Sequence, residues 1–187
     1  MKRGRSICAG LILLSAWMVG CGQPAEQAPM ETAQPAEPAM EMGPSVTLQP
    51  TEGNTAAGEV SLMSMGDGVH FTGTVTGLPP GMHGFHIHET GDCSAPDGTS
   101  AGGHFNPTAA EHGGPQSEMR HLGDLGNITA DESGTAEVNI HASGVTLEAG
   151  MENSILGKAV IVHAGEDDLT TQPTGDAGAR LACGVIQ

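Results

Sequence analysis

From about Ser45 onward, apolar residues recur in short alternating runs rather than at helical spacing. Residues 58–65 and 69–75 alternate in this way on either side of Asp67-Gly68, a dipeptide that favours a two-residue hairpin loop. Ala136, Val138 and Ile140 alternate with Glu137 and Asn139, the pattern of a strand with one buried face. Ala159-Val160-Ile161-Val162 is continuously apolar, as in a strand covered on both sides. No stretch sustains a 3.6-residue period, so helix is expected to be scarce. About seven or eight strands in some 140 residues predict an all-β fold. The form expected is a Greek-key sandwich or flattened barrel of about eight antiparallel strands with long loops.

Composition supports this reading. The 187 residues include 29 glycines, no tyrosine, and only Trp17, Phe71, Phe85 and Phe105 as aromatics, which suits small, β-branched packing and many turns. The segment before Ser45 is different. Lys2, Arg3 and Arg5 precede an apolar stretch over residues 7–19, too short to span a bilayer, where about 20 residues are needed. Residues 1–20 therefore read as a secretion signal. Met18-Val19-Gly20-Cys21 resembles a bacterial lipobox, in which Cys21 is lipidated and becomes the new N-terminus, although leucine is usual where Met18 stands. Gly22 is not the aspartate that retains some lipoproteins at the inner membrane, which favours an outer-membrane anchor facing the periplasm. Residues 21–43 then form a Pro/Ala/Glu-rich linker with nothing to fold around, and residues 44–187 the folded domain. Met30, Met40 and Met42 in the linker are soft ligands able to bind Cu(I), but flexible filler is the favoured reading of them.

Charge excludes one class of partner. Without its first 20 residues the chain keeps three basic groups against 22 acidic ones, a formal charge of −19, so nucleic acid is not an expected partner. The cysteines fit export. Cys8 lies in the signal and Cys21 is the lipidation site, so only Cys93 and Cys183 remain, and one disulfide between them is the economical reading.

Nine histidines carry the chemistry. In Gly84-Phe85-His86-Ile87-His88-Glu89, a strand would turn His86 and His88 to one face and Phe85 and Ile87 to the core. His104, His112, His121 and Asp124 follow within a glycine-rich segment. Three imidazoles and a carboxylate match a closed tetrahedral zinc site. His163 follows the buried strand, and His86, His88, His104 and His163 together suit a tetragonal copper site. His70, His83 and His141 fall outside these groups and read as surface or strand residues.

The motifs Gly-Phe-His-Ile-His-Glu, Gly-His-Phe-Asn-Pro, His-Gly-Gly-Pro, Arg-His-Leu-Gly-Asp-Leu-Gly-Asn and Gly-Asp-Ala-Gly-Ala-Arg-Leu-Ala-Cys-Gly-Val-Ile occur in this order. Together they resemble the copper–zinc superoxide dismutase family over residues 58–187. Gly91-Asp92-Cys93-Ser94 places the cysteine as in its bacterial members. The resemblance implies disproportionation of superoxide to oxygen and hydrogen peroxide, with copper cycling between oxidation states. Copper would be held by His86, His88, His104 and His163, and a structural zinc by His104, His112, His121 and Asp124. His104 would then bridge the two metals. Asp167 would link a copper-ligand histidine to a zinc-ligand histidine, Arg180 would draw in the anion, and Cys93 and Cys183 would be the intrasubunit disulfide.

Two matters stay open on the sequence. A non-enzymatic copper- and zinc-binding envelope lipoprotein on the same fold is the alternative function, and the residues do not decide between a monomer and a homodimer. Residues 44–187 carry 18 acidic groups against three basic ones, a charge of −15 that repels an anionic substrate. Attraction must then come from the metals and Arg180, with help from Arg120 or Lys158 if folding brings them near.

Overall fold

A computed structural model describes residues 43–187. The expected signal, Cys21 and all but the last residue of the expected linker lie outside the described residues. The alternating runs form a hairpin of β2 (Ala57–Met65) and β3 (Gly68–Thr76), paired antiparallel from Ala57↔Thr76 to Met65↔Gly68. The loop is Gly66-Asp67, one residue earlier than Asp67-Gly68. Gly66 takes φ 60°, the left-handed value that a type II′ loop requires at its first position, and Gly68 is left as a ladder residue against Ser143. The two glycines flank Asp67, and the register of Val60, Leu62, Val69 and Phe71 on the core face decides between them.

The remaining strands are β1 (Ser45–Pro50), β4 (Gly81–His88), β5 (Asp124–Ala130), β6 (Ala136–Ser143), β7 (Ala159–His163) and β8 (Arg180–Val185). Every pairing is antiparallel, and the order β1-β2-β3-β6-β5-β4-β7-β8 closes into a barrel with Greek-key crossovers. The helix among the described residues is one 3-10 turn, Thr99–Ala101. The barrel interior is filled by residues such as Val46, Val60, Phe71, Phe85, Ile87 and Val160, with Phe71 and Phe85 edge-to-face at 6.5 Å.

β7 explains why its sequence is apolar without alternation. Val160 and Val162 face the main core, while Ala159 and Ile161 face a second apolar cluster with Ala101, Cys183 and Cys93. That second cluster lies under the long β4–β5 connection, residues 89–123. A disulfide between Cys93 and Cys183, Cα atoms 5.8 Å apart, fastens this connection to β8. The ladder is interrupted by bulges between Gly84 and His86 on β4 and between Val162 and His163 on β8's partner strand. Bulges re-aim side chains, and here they fall beside the histidines that the sequence singled out.

The bridge closes a loop of 90 residues, for which chain entropy predicts stabilisation of about 4–5 kcal/mol. Replacing Cys93 and Cys183 together by alanine should lower the unfolding free energy of the oxidised protein by that order. Urea unfolding with an unchanged midpoint would contradict this.

Candidate metal centre

β4 and the end of β7 deliver the first three histidines. His86 and His88 sit on β4 and His163 ends β7, all buried. The β4–β5 connection returns His104 to the end of β4 through a bridge to His88, and it also carries His112 and His121. Asp124 opens β5. Buried donor atoms of His86, His88, His104 and His163 lie within 4.8 Å of one another, and so do those of His104, His112, His121 and Asp124. All the proposed ligands are thus brought together, with His104 common to both groups.

The ring nitrogens divide into outer and inner sets. His86 Nε2 donates to Asp167 at 2.8 Å, His88 Nδ1 to the Gly102 carbonyl at 2.9 Å, and His163 Nδ1 to the Gly178 carbonyl at 3.2 Å. A neutral imidazole that donates from one nitrogen carries a lone pair on the other. Lone pairs on His86 Nδ1, His88 Nε2 and His163 Nε2 therefore point inwards. His88 and His163 present theirs to each other at 3.3 Å, and His86 Nδ1 has no hydrogen-bond partner at all. His104 has no outer nitrogen. Its Nδ1 lies 2.7 Å from Asp124 Oδ1, and its buried Nε2 is unpartnered on the side of the other three rings.

The second group is organised around one oxygen. Nδ1 atoms of His104, His112 and His121 converge on Asp124 Oδ1 at 2.7, 3.0 and 3.1 Å. Asp124 Oδ2 accepts the amides of Gly113 and His121, which fixes the carboxylate plane. Three imidazoles cannot all donate well to one oxygen, whereas a cation among them would satisfy every lone pair. Buried polar atoms without partners are costly, by about 1–3 kcal/mol each. The unpartnered His86 Nδ1 and His104 Nε2, and His112 Nδ1, which lies 3.0 Å from Asp124 Oδ1 without forming a hydrogen bond to it, thus fit bound metal. The first donor set, four imidazoles, suits copper, and the second, three imidazoles and a carboxylate, suits zinc.

Asp167 ties the two groups together. Its Oδ2 accepts from His86 Nε2 at 2.8 Å and its Oδ1 from His112 Nε2 at 2.9 Å. Carboxylates in this position fix the tautomer and orientation of ligand imidazoles. Gly175, at φ 67°, lets the β7–β8 connection pass against this bridge, where a Cβ would collide with the Asp167 carboxylate and the His112 ring.

Three supporting residues escaped the sequence reading. Asn127 grips the Asp167 backbone with both ends of its amide, at 2.8 Å each, and Gln172 does the same to His112 at 2.8 and 2.9 Å. Of the two readings given for it, His83 takes the strand and not the surface. It is buried on β4, its Nδ1 2.8 Å from the His163 carbonyl and its Nε2 2.8 Å from the Pro79 carbonyl. Its place in the core register of Phe85 and Ile87 was the available signal, since a polar residue at a core position needs partners.

Arg180, at the start of β8, is half-buried and donates to the carbonyls of Gly98 at 2.6 Å and Gly102 at 2.7 Å. The Gly102 carbonyl also accepts from His88, so the guanidinium and a copper-type ligand share one backbone anchor. A cleft of about 350 Å³ beside Arg180 is lined by Thr51, Asn54, Thr99 and the acidic Glu52 and Asp97. Arg120 is committed to Ser143, and Lys158 to the Glu89 carbonyl and the Phe105 ring, and neither lines this cleft.

The family model described as Copper/zinc superoxide dismutase (SODC) matches residues 56–186. This chain belongs to the copper/zinc superoxide dismutase family. Its copper and zinc are the metals that the two donor sets fit, and superoxide is the family's substrate.

Burial sets the protonation of the ligands. It lowers His86 to about 4, His163 to about 3 and His88 to about 2, which keeps the lone pairs free at neutral pH. Burial alone would raise Asp124, but the His104 hydrogen bond, the Gly113 amide and the nearby His112 and His121 hold it at about 2. Each of the three lowered imidazoles starts from 6.5 in the unfolded chain, so between 6.5 and its folded value only the unfolded state binds the proton. Acid therefore favours unfolding. The metal-free protein should lose stability as pH falls below about 6.5, each group contributing up to about 1.4 kcal/mol per pH unit, with Asp124 extending the loss below pH 4. Urea midpoints of the metal-free protein that stay flat between pH 7 and 4.5 would contradict these assignments.

Proposed function

We propose that this chain disproportionates superoxide to oxygen and hydrogen peroxide, with copper held by His86, His88, His104 and His163 and zinc by His104, His112, His121 and Asp124. His104 would bridge the metals. The observation that carries this reading is the His104 ring, which turns Nδ1 to one donor group and an unpartnered Nε2 to the other. Copper bound there would supply one-electron exchange with superoxide, and zinc a fixed positive charge.

The chain's own residues would handle the anion and the protons. Arg180 uses two of its N–H groups on Gly98 and Gly102 and keeps the others for the incoming anion. Two superoxide anions and two protons give one oxygen and one hydrogen peroxide. While its Nε2 is not engaged by a metal, His104 would hold one of these protons there and release it to the peroxide, and the other proton would come from water. Asp124, kept ionised, stabilises the ring from its Nδ1 side in either state. Asp167, clamped by Asn127, keeps the orientation of His86 and His112 coupled.

Metal analysis of the purified protein, read with superoxide turnover, tests this assignment. The parent should hold one copper and one zinc per chain and be active. His104→Ala should abolish turnover and loosen both metals, whereas His121→Ala should mainly lose zinc. An active His104→Ala protein would end the bridging assignment, and a metal-loaded, inactive parent would favour the non-enzymatic copper- and zinc-binding lipoprotein.

Attraction of the anion rests on Arg180 and the metals, since residues 44–187 carry 18 acidic groups against three basic ones and Glu52 and Asp97 line the Arg180 cleft. Focusing of this kind, for which enzymes of this family are a standard case, changes on-rates about 10–10³-fold. Arg180→Glu should lower kcat/KM by that order with both metals still bound. Near-parental kcat/KM in Arg180→Glu would refute this account of steering.

A further inference from the structure

A second group of metal-binding side chains lies on the outer face of the barrel and belongs to neither donor group described above. The β2–β3 register sets Met63 directly opposite His70, and the β3–β6 register sets His70 directly opposite His141. Directly opposed residues of an antiparallel sheet project from the same face, with Cβ atoms about 4.5–5.5 Å apart. Thioether, imidazole and imidazole therefore stand in one row across three strands. Met63 is 60% exposed and the His141 side chain 37%, so the row faces solvent.

Each member is prepared for a soft cation. His141 Nε2 donates to Asp67 Oδ1 at 3.0 Å, which leaves the lone pair on Nδ1. This is the carboxylate–histidine arrangement that orients a metal ligand. The His70 ring stacks on that of His141 at 6.5 Å, and His70 Nδ1 is out of solvent without a hydrogen-bond partner. A buried, unpartnered ring nitrogen calls for an explanation. No motif of the enzyme family uses His70, His141, Met63 or Asp67, so the catalytic centre does not provide one.

We propose that Met63, His70 and His141 form a surface site for one copper(I) ion, with Asp67 orienting His141. The ligand atoms are Met63 Sδ, His70 Nδ1 and His141 Nδ1. A thioether with two imidazoles selects Cu(I) over the harder divalent ions. The ring centroids stand 6.5 Å apart, wider than two ligands of one ion, and adjustment of the exposed Met63 and His141 side chains, with the 77% exposed Asp67 moving along with His141, would close the set without moving the strands. Such side-chain rotations take picoseconds to nanoseconds at the surface. The site is independent of which metals fill the catalytic centre.

The test uses the full chain with its catalytic centre already loaded with copper and zinc. Cu(I) is added anaerobically in competition with bicinchoninate, and bound copper is counted by mass spectrometry. The parent should take up one more Cu(I) than His141→Ala, while Asp67→Ala should keep the ion with affinity lowered about 10–100-fold. Because the same linker is present in all variants, copper held by Met30, Met40 or Met42 cancels from the comparison. His70→Gln, checked for an unchanged fold by circular dichroism, serves as the second loss variant. Equal copper uptake by the parent, His141→Ala and His70→Gln would overturn the site. Unchanged Cu(I) uptake by Met63→Leu would overturn its assignment to Cu(I).

Discussion

The His104 imidazole has no nitrogen to spare for the protein scaffold. Each of the other copper-type ligands rests one nitrogen on a carbonyl or carboxylate and offers the second inwards. His104 offers one to the Asp124 group and the other to the His86, His88 and His163 group. Its orientation must therefore be set by backbone, and it is: the His88–His104 bridge, made by the Phe105 N–H to the Ile87 carbonyl and the Glu89 N–H to the Gly103 carbonyl, stitches its segment to the end of β4. Much of the architecture serves this constraint. The barrel supplies a rigid β4, the bulges aim His86 and His163, and two separate loops, β4–β5 and β7–β8, close over the centre.

The two loops are held by different means. The β4–β5 connection is fixed covalently by Cys93–Cys183 and by burial of Ala101 against β7 and β8. That connection also carries the Gly98 and Gly102 carbonyls, so the disulfide indirectly places the Arg180 guanidinium. The β7–β8 connection has no covalent tie. It is secured through polar contacts, Asn127 on the Asp167 backbone and Gln172 on that of His112. Asp167 is then held firmly enough to orient His86 and His112 together. The orientation of each donor group is thus coupled to the other even before metal binds.

Sequence pattern revealed most of the fold and the residues that gather into the two donor groups, for identifiable reasons. Period-two alternation marked β2, β3 and β6, and the ligands stand in compact motifs with characteristic neighbours. What remained hidden depends on contacts between residues far apart in the chain. Asn127 sits 40 positions from Asp167, and Gln172 is 60 positions from His112. A side-chain amide with a partner that distant leaves no local signature. The hairpin loop was misplaced by one residue because Gly66 and Gly68 flank Asp67, and only the cross-strand ladder decides between them. Arg120 and Lys158 are held away from the Arg180 cleft by Ser143 and Glu89, partners 23 and 69 positions distant.

The most direct measurement is anomalous X-ray diffraction from crystals loaded with both metals, collected on either side of the copper and zinc absorption edges. The account predicts a copper peak at bonding distance from His104 Nε2 and a zinc peak about 2.0–2.1 Å from His104 Nδ1, with an intact ring between them. A single shared peak, or metals bound with the His104 ring turned away from either group, would contradict it.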